Sequence, residues 1–136
     1  MPVAIENLIP HRAPMRWIDA LTDCTDLTAS ANATFNAKHF AVAKGAVSEI
    51  ALVECMAQTA AAALGQRARN AGKTGADGIG MLVAVSNFKI HLRAPLEKLL
   101  QIEIRELKRL GSMRMISGVI LCEGRTIAAG QLMVYA

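Results

Sequence analysis

The chain has 136 residues, 53% of them apolar and 19% charged; this points to a single domain, residues 1–136, with a core of its own, and excludes a disordered chain. A net charge of +4, from 15 Lys and Arg against 11 Asp and Glu, favours an acidic partner. The basic residues are scattered, and one Trp, one Tyr and three Phe give no stacking platform for nucleic acid.

The N-terminus, MPVAIENLIPHR, lacks a charged start followed by an apolar segment, so a cytoplasmic protein is predicted. Asn7 to Pro14 holds two of the four prolines and reads as a leading segment. Met15 to Leu21 is predicted as a strand and Asp23 to Asp26 as a turn. Leu27 to Phe35, LTASANATF, alternates strictly. Leu27, Ala29, Ala31, Ala33 and Phe35 share one face and Thr28, Ser30, Asn32 and Thr34 the other, as in a half-buried strand. Asn36 to Val47 shows no pattern and is taken as irregular.

Ser48 then fits an N-cap, with Glu49 in the first turn where the helix dipole favours negative charge. The predicted helix runs to about Asn70, and Gly72 suits its end. Inside it lies VECMAQTAAAALG, small and apolar except for Glu54 and Gln58. No apolar stretch reaches the roughly 18 to 20 residues that span a bilayer, so no membrane span is expected. A carboxylate in such a helix is costly unless it is paired, protonated or employed, which makes Glu54 the first candidate for chemistry. Gln58, one turn on, shares its face and is expected to orient a neighbouring group.

Gly72 to Gly80 is a glycine-rich connection without the order of a phosphate-binding loop. Strands are predicted over Met81 to Leu92, Leu100 to Leu107 and Arg114 to Cys122. Glu123-Gly124-Arg125 then turns into a last strand, Thr126 to Tyr135. In NFKIHL, Phe88, Ile90 and Leu92 alternate with Lys89, His91 and Arg93, whose outward cations could meet an acidic partner. Cys24, Cys55 and Cys122 lack metal-ligand or disulfide spacing and read as free buried thiols, with Cys55 as nucleophile the lesser alternative. No metal or other cofactor is implied. One long helix and about six hairpin-linked strands describe an α+β domain, with an antiparallel sheet curled around the helix.

Two segments carry a family resemblance. LIPHRAPMRWID resembles the N-terminal signature of the (3R)-hydroxyacyl-acyl carrier protein dehydratases, a PHR-x-P element followed by an apolar pair and an aspartate. LVECMAQTAA is similar to the helix motif of that family, and closer to its aryl-polyene-cluster dehydratase-like branch, in which the glutamate is followed by an aromatic residue or Leu and then Met-Ala-Gln. The resemblance implies a hotdog fold, assembled as homodimers or higher multiples of dimers. It implies dehydration of a 3-hydroxyacyl thioester, on acyl carrier protein or coenzyme A, in fatty acid or polyene-type synthesis.

Such a reaction needs a base at C2 and an acid at the C3 hydroxyl. Histidine suits the first role near neutral pH, and a desolvated glutamate can hold a proton for the second. The resemblance assigns the acid to Glu54 and the base to His39, contributed from opposite subunits. His11, in the PHR element, is expected to tie the N-terminal segment to the sheet, with a catalytic role the lesser alternative. Amides at the helix N-terminus, beginning at Ser48, would stabilise the thioester oxygen as charge builds on it. Gly45 matches the glycine of the aryl-polyene-like branch. Gln58, Lys89 and Arg93 complete the expected substrate contacts, the two cations by docking an acidic carrier or its phosphopantetheine arm. The stretch KHFAVAKGAVSEI nevertheless lacks both Pro-Gly pairs of the dehydratase pattern, which also sets histidine and glutamate one position closer than here. Two other readings therefore stay open: a thioester hydrolase in which Glu54 activates water, and a non-catalytic acyl-binding subunit.

Overall fold

The computed structural model describes residues 3–72 and 81–135. Its elements follow the chain as a short 3-10 turn at Ile5–Asn7, strands β1 (Ala20–Cys24), β2 (Thr28–Ala33), β3 (Val42–Ala43) and β4 (Ala46–Val47), and helix α1 (Glu49–Asn70). Strands β5 (Met81–Ile90), β6 (Leu100–Leu110), β7 (Met113–Cys122) and β8 (Arg125–Tyr135) complete it. The main sheet has the order β1-β2-β6-β7-β8-β5 and is antiparallel throughout. The long helix lies across one face of this sheet, the hotdog arrangement.

The alternating alanines explain how closely the two layers meet. Ala29, Ala31 and Ala33 of β2 turn inward and are buried, as the sequence alternation predicts. Ile102 and Ile104 of β6, Ile116 and Ile120 of β7, and Leu132 and Val134 of β8 carry the same surface across the sheet. From the helix, Leu52, Cys55, Met56 and Thr59 descend onto it. At Gly118 of β7 a side chain would begin 2.4 Å from the Met56 sulfur. At Gly65 of α1 it would begin 2.4 Å from the carbonyl oxygen of Leu8. At Gly65 the obstacle is backbone, so only a glycine fits without moving the strap; at Gly118 the Met56 side chain would have to move.

Several boundaries differ from expectation. The first strand starts at Ala20 rather than Met15, because the backbone of Met15 to Ile18 is bonded to a side chain of the helix instead of to a neighbouring strand. The segment Asn36 to Val47 contains a small hairpin, β3 with β4, closed by Lys44 and Gly45 at φ of 53° and 77°. Two successive positive φ values are what a tight two-residue hairpin turn demands. Strand β5 stops at Ile90, and its register shifts between Ser86 and Lys89, so the alternation read through Leu92 is interrupted there. The rest of the glycine-rich connection, 73–80, lies outside the described residues. Among the described residues no helix is long and apolar enough to cross a membrane.

Candidate functional site

Helix α1 begins at Ser48, whose extended backbone and side-chain oxygen, accepting from the Ala51 N–H at 3.3 Å, make it the N-cap. Glu49 stands in the first turn and Arg67 and Arg69 in the last, each sign complementing the helix dipole. Glu54 lies in the second turn on the side turned away from the sheet. Its side chain is 31% exposed. Ile50, one turn before, is 78% exposed, and Val53 and Ala57 on the same side are half-buried. The carboxyl group is therefore set in a mostly apolar, partly open surface. Desolvation raises its pKa above the ordinary carboxylate value, and the charge of His11 acts in the opposite direction.

The N-terminal strap brings His11 there. Gln58 is fully buried, and its amide is used at both ends on backbone groups. Its Oε1 accepts from the N–H of Trp17 at 2.8 Å and of Ile18 at 3.3 Å, and its Nε2 donates to the Met15 carbonyl at 2.8 Å. A strap clamped at Gln58 runs past Glu54, one helical turn earlier, a few residues upstream. That residue is His11, whose Nε2 stands 3.9 Å from Glu54 Oε1. Arg12 stiffens the same stretch by donating to the carbonyls of Ile9 and Glu6, both at 2.9 Å, and of His11 at 2.8 Å. His11 Nδ1 is buried and has no hydrogen-bond partner among the described residues. A buried nitrogen left this way costs about 1–3 kcal/mol. Sequence reasoning gave His11 a structural task and missed its place beside Glu54. The available signal was Gln58, because a buried amide one turn from the carboxylate must bind some segment and thereby align it with Glu54.

His39 sits elsewhere. Its ring is half-buried in an aromatic cluster, 4.9 Å from Phe35 and 6.3 Å from Trp17 in edge contacts and stacked on Phe40 at 5.5 Å. Its Nδ1 accepts the Ala41 N–H at 3.0 Å. The neutral ring then carries its proton on Nε2, which makes that nitrogen a donor. No hydrogen bond or ion pair joins His39 to Glu54 among the described residues.

The other expected site residues lie apart from Glu54, on the β3–β4 turn and on and after strand β5. Gly45 is exposed in the turn of the β3–β4 hairpin, with open space where a side chain would begin. Arg93 donates to the carbonyl of Lys44 in that turn and lines a cleft of about 290 Å³ together with Lys98, Arg125, Glu123 and the apolar Leu92 and Ile127. Lys98 is held by Glu123 at 2.5 Å. Lys89 is exposed on β5 and does not line this cleft. Cys55 is a free, fully buried thiol whose pKa burial pushes far up, so it carries no nucleophile. Among the described residues no three His, Cys, Asp or Glu side chains are arranged to hold a metal ion.

A family model for ApeP-like proteins, described as ApeP dehydratase, matches residues 3–136. The chain belongs to the ApeP-like dehydratase family. The structure resembles the dehydratase heterocomplex ApeI:P from Xenorhabdus doucetiae, with a TM-score of 0.88 and 18% identity over 99% of this chain and 91% of that one. It also resembles the E. coli PaaI protein from the phenylacetic acid degradation operon, at a TM-score of 0.68 and 10% identity over 85% of this chain and 81% of that one. A hypothetical thioesterase from Streptococcus pneumoniae, solved with coenzyme A, gives 0.67 and 12% identity over 85% of each chain. At these identities the likeness establishes the fold. Among curated proteins there is no match. Glu54, in the segment VECMAQ, lies within the matched residues.

Proposed function

We propose that this protein dehydrates a 3-hydroxyacyl thioester, carried on acyl carrier protein, to the trans-2-enoyl thioester in fatty acid or polyene-type synthesis. The observation that carries the reading is Glu54, a partly desolvated carboxyl on the helix face the sheet leaves uncovered, in a chain of a dehydratase family. A carboxyl with a raised pKa can arrive protonated and donate to a departing hydroxyl. The proton from C2 goes to a histidine. The resemblance nominates His39 of a second subunit, a role in which its Nδ1 would have to release the Ala41 N–H. Helix amides from Ser48 onward stabilise the thioester oxygen, and the turn at Gly45 shapes the approach to them. Lys89 and Arg93, the latter with Lys98 and Arg125 around its cleft, offer positive charge to an acidic carrier.

A second hotdog domain completes the site in this reading. Ile50, Phe40 and Met15 are exposed around the uncovered helix face, and Leu82, Val83 and Val85 along the edge strand β5. The occupant proposed is a second copy of the chain. The ApeI:P relative was solved as a heterocomplex, so a related dehydratase chain is the other outcome that sedimentation of the purified protein would detect.

The test is an assay of wild type and Glu54→Gln on 3-hydroxyacyl and saturated acyl thioesters, separating enoyl product from free thiol. Enoyl formation that falls about 100-fold or more in Glu54→Gln is the expected result. Thiol release dependent on Glu54 would move the protein to the hydrolases. Binding of acyl carrier without turnover would make it an acyl-binding subunit.

A further inference from the structure

We propose that His11 and Glu54 of the same chain form the acid–base pair, with His11 as the base, so that proton transfer is complete within one chain. The inference rests on the dehydration reading and names the base within that site. The geometry favours His11 on three counts. Its Nε2 lies 3.9 Å from the Glu54 carboxylate, on the same side of the helix. Its carbonyl accepts from the Arg12 guanidinium, and Gln58 clamps the strap a few residues downstream, which keeps this stretch of backbone beside Glu54. Its Nδ1 is buried without a partner among the described residues, so no hydrogen bond commits the ring to one tautomer. His39, by contrast, has its Nδ1 taken by the Ala41 N–H.

The step balances with these two groups alone. His11 Nε2 takes the C2 proton, and the C–H electron pair becomes the C2–C3 π bond. The C3–O bond breaks, and Glu54 gives its proton to the leaving oxygen, which departs as water. His11 is then an imidazolium beside a carboxylate. Returning the proton across the short gap, directly or through the released water, restores both groups. Other charged groups nearby are otherwise engaged. Arg12 donates to backbone carbonyls, Arg16 pairs with Glu6 at 3.0 Å and Asp19 at 3.4 Å, and the adjacent Cys55 stays a neutral thiol.

Two measurements on the full-length protein test the pair. The first follows the Glu54 carboxyl by carbon-13 NMR through a pH titration of wild type, His11→Gln, His11→Asn and His39→Gln. Loss of His11 removes a positive charge that favours the carboxylate, so the Glu54 titration moves to higher pH in both His11 variants and stays in place in His39→Gln. An unmoved titration in the folded His11 variants overturns the pair whatever the substrate. The second co-expresses His11→Gln chains with Glu54→Gln chains and isolates the mixed assembly. Each single variant falls about 100-fold or more, and mixing recovers nothing if both groups must sit on one chain. Recovery toward half of wild type would place the pair across subunits and overturn the inference. Enoyl formation lost in Glu54→Gln yet intact in His11→Gln keeps the dehydration reading and sinks only the base. A wild type that makes no enoyl product overturns the reading and, with it, the base.

Discussion

The two sides of helix α1 answer to different demands. Toward the sheet, Leu52, Cys55, Met56, Thr59, Ala62 and Ala63 are buried, and a sulfur of Met56 fills the space that Gly118 leaves. Away from it, Ile50 is exposed, and Glu54 sits between half-buried Val53 and Ala57. The first side is closed and apolar, and its residues are chosen by packing. The second keeps a costly carboxyl and an unpartnered histidine nitrogen, features that packing alone would remove. Packing against the sheet therefore selects the residues of the first side, and contact with the N-terminal strap those of the second. Gln58 joins them, since it is buried like the first and positions the strap that serves the second.

Of the changes at the strap, the largest loss of stability is expected at Gln58. Gln58→Ala leaves the N–H groups of Trp17 and Ile18 and the carbonyl of Met15 without their buried partner. At about 1–3 kcal/mol for each unsatisfied group, partly relieved by entering water, a loss of about 3–4 kcal/mol is expected in urea unfolding. A loss below about 1 kcal/mol would mean that the strap is held by something other than this amide. Gly65→Ala comes next. Alanine is favoured over glycine in a helix by about 1 kcal/mol, but its new carbon would lie 2.4 Å from the Leu8 carbonyl oxygen. Because the obstacle is backbone, the strap must move, and a net loss of about 1–3 kcal/mol is expected. A variant as stable as wild type would show that the strap floats on the helix and cannot fix His11.

What the sequence disclosed, and what it withheld, follow the same line. Local periodicity and capping gave the helix from Ser48 to Asn70, the inward alanines of β2 and the turn at Glu123 and Gly124, because each depends on residues close in sequence. The start of β1 escaped, since Met15 to Ile18 have strand-like residues but their backbone partner is a glutamine some 40 positions on. The β3–β4 hairpin escaped because its strands are two residues long and rest on a turn that Arg93 braces from a distance. Glu54 stood out as a lone carboxylate among small apolar residues. Its neighbour His11 did not, because their approach exists only once Gln58 has drawn the strap across the helix.

The smallest expected effect concerns Glu54 itself and tests whether it belongs to the costly side. Its pKa is raised in the folded chain, chiefly by desolvation, so the folded state holds this proton more tightly than the unfolded state does. Below the unfolded pKa both states are protonated, and the group carries no penalty. As pH rises from there through the folded pKa, ionisation increasingly favours unfolding, and beyond it the penalty is constant. Glu54→Gln removes the penalty without removing the shape. The variant should therefore match wild type in acid and become the more stable of the two toward neutral pH, in melts recorded across that range. A variant less stable than wild type at neutral pH would mean that the ionised carboxyl is held by favourable contacts, with His11 acting as a structural ion-pair partner. Equal stability at every pH would mean that the carboxyl is solvated as an ordinary surface group, and the contrast between the two sides of the helix would then have no energetic basis at this residue.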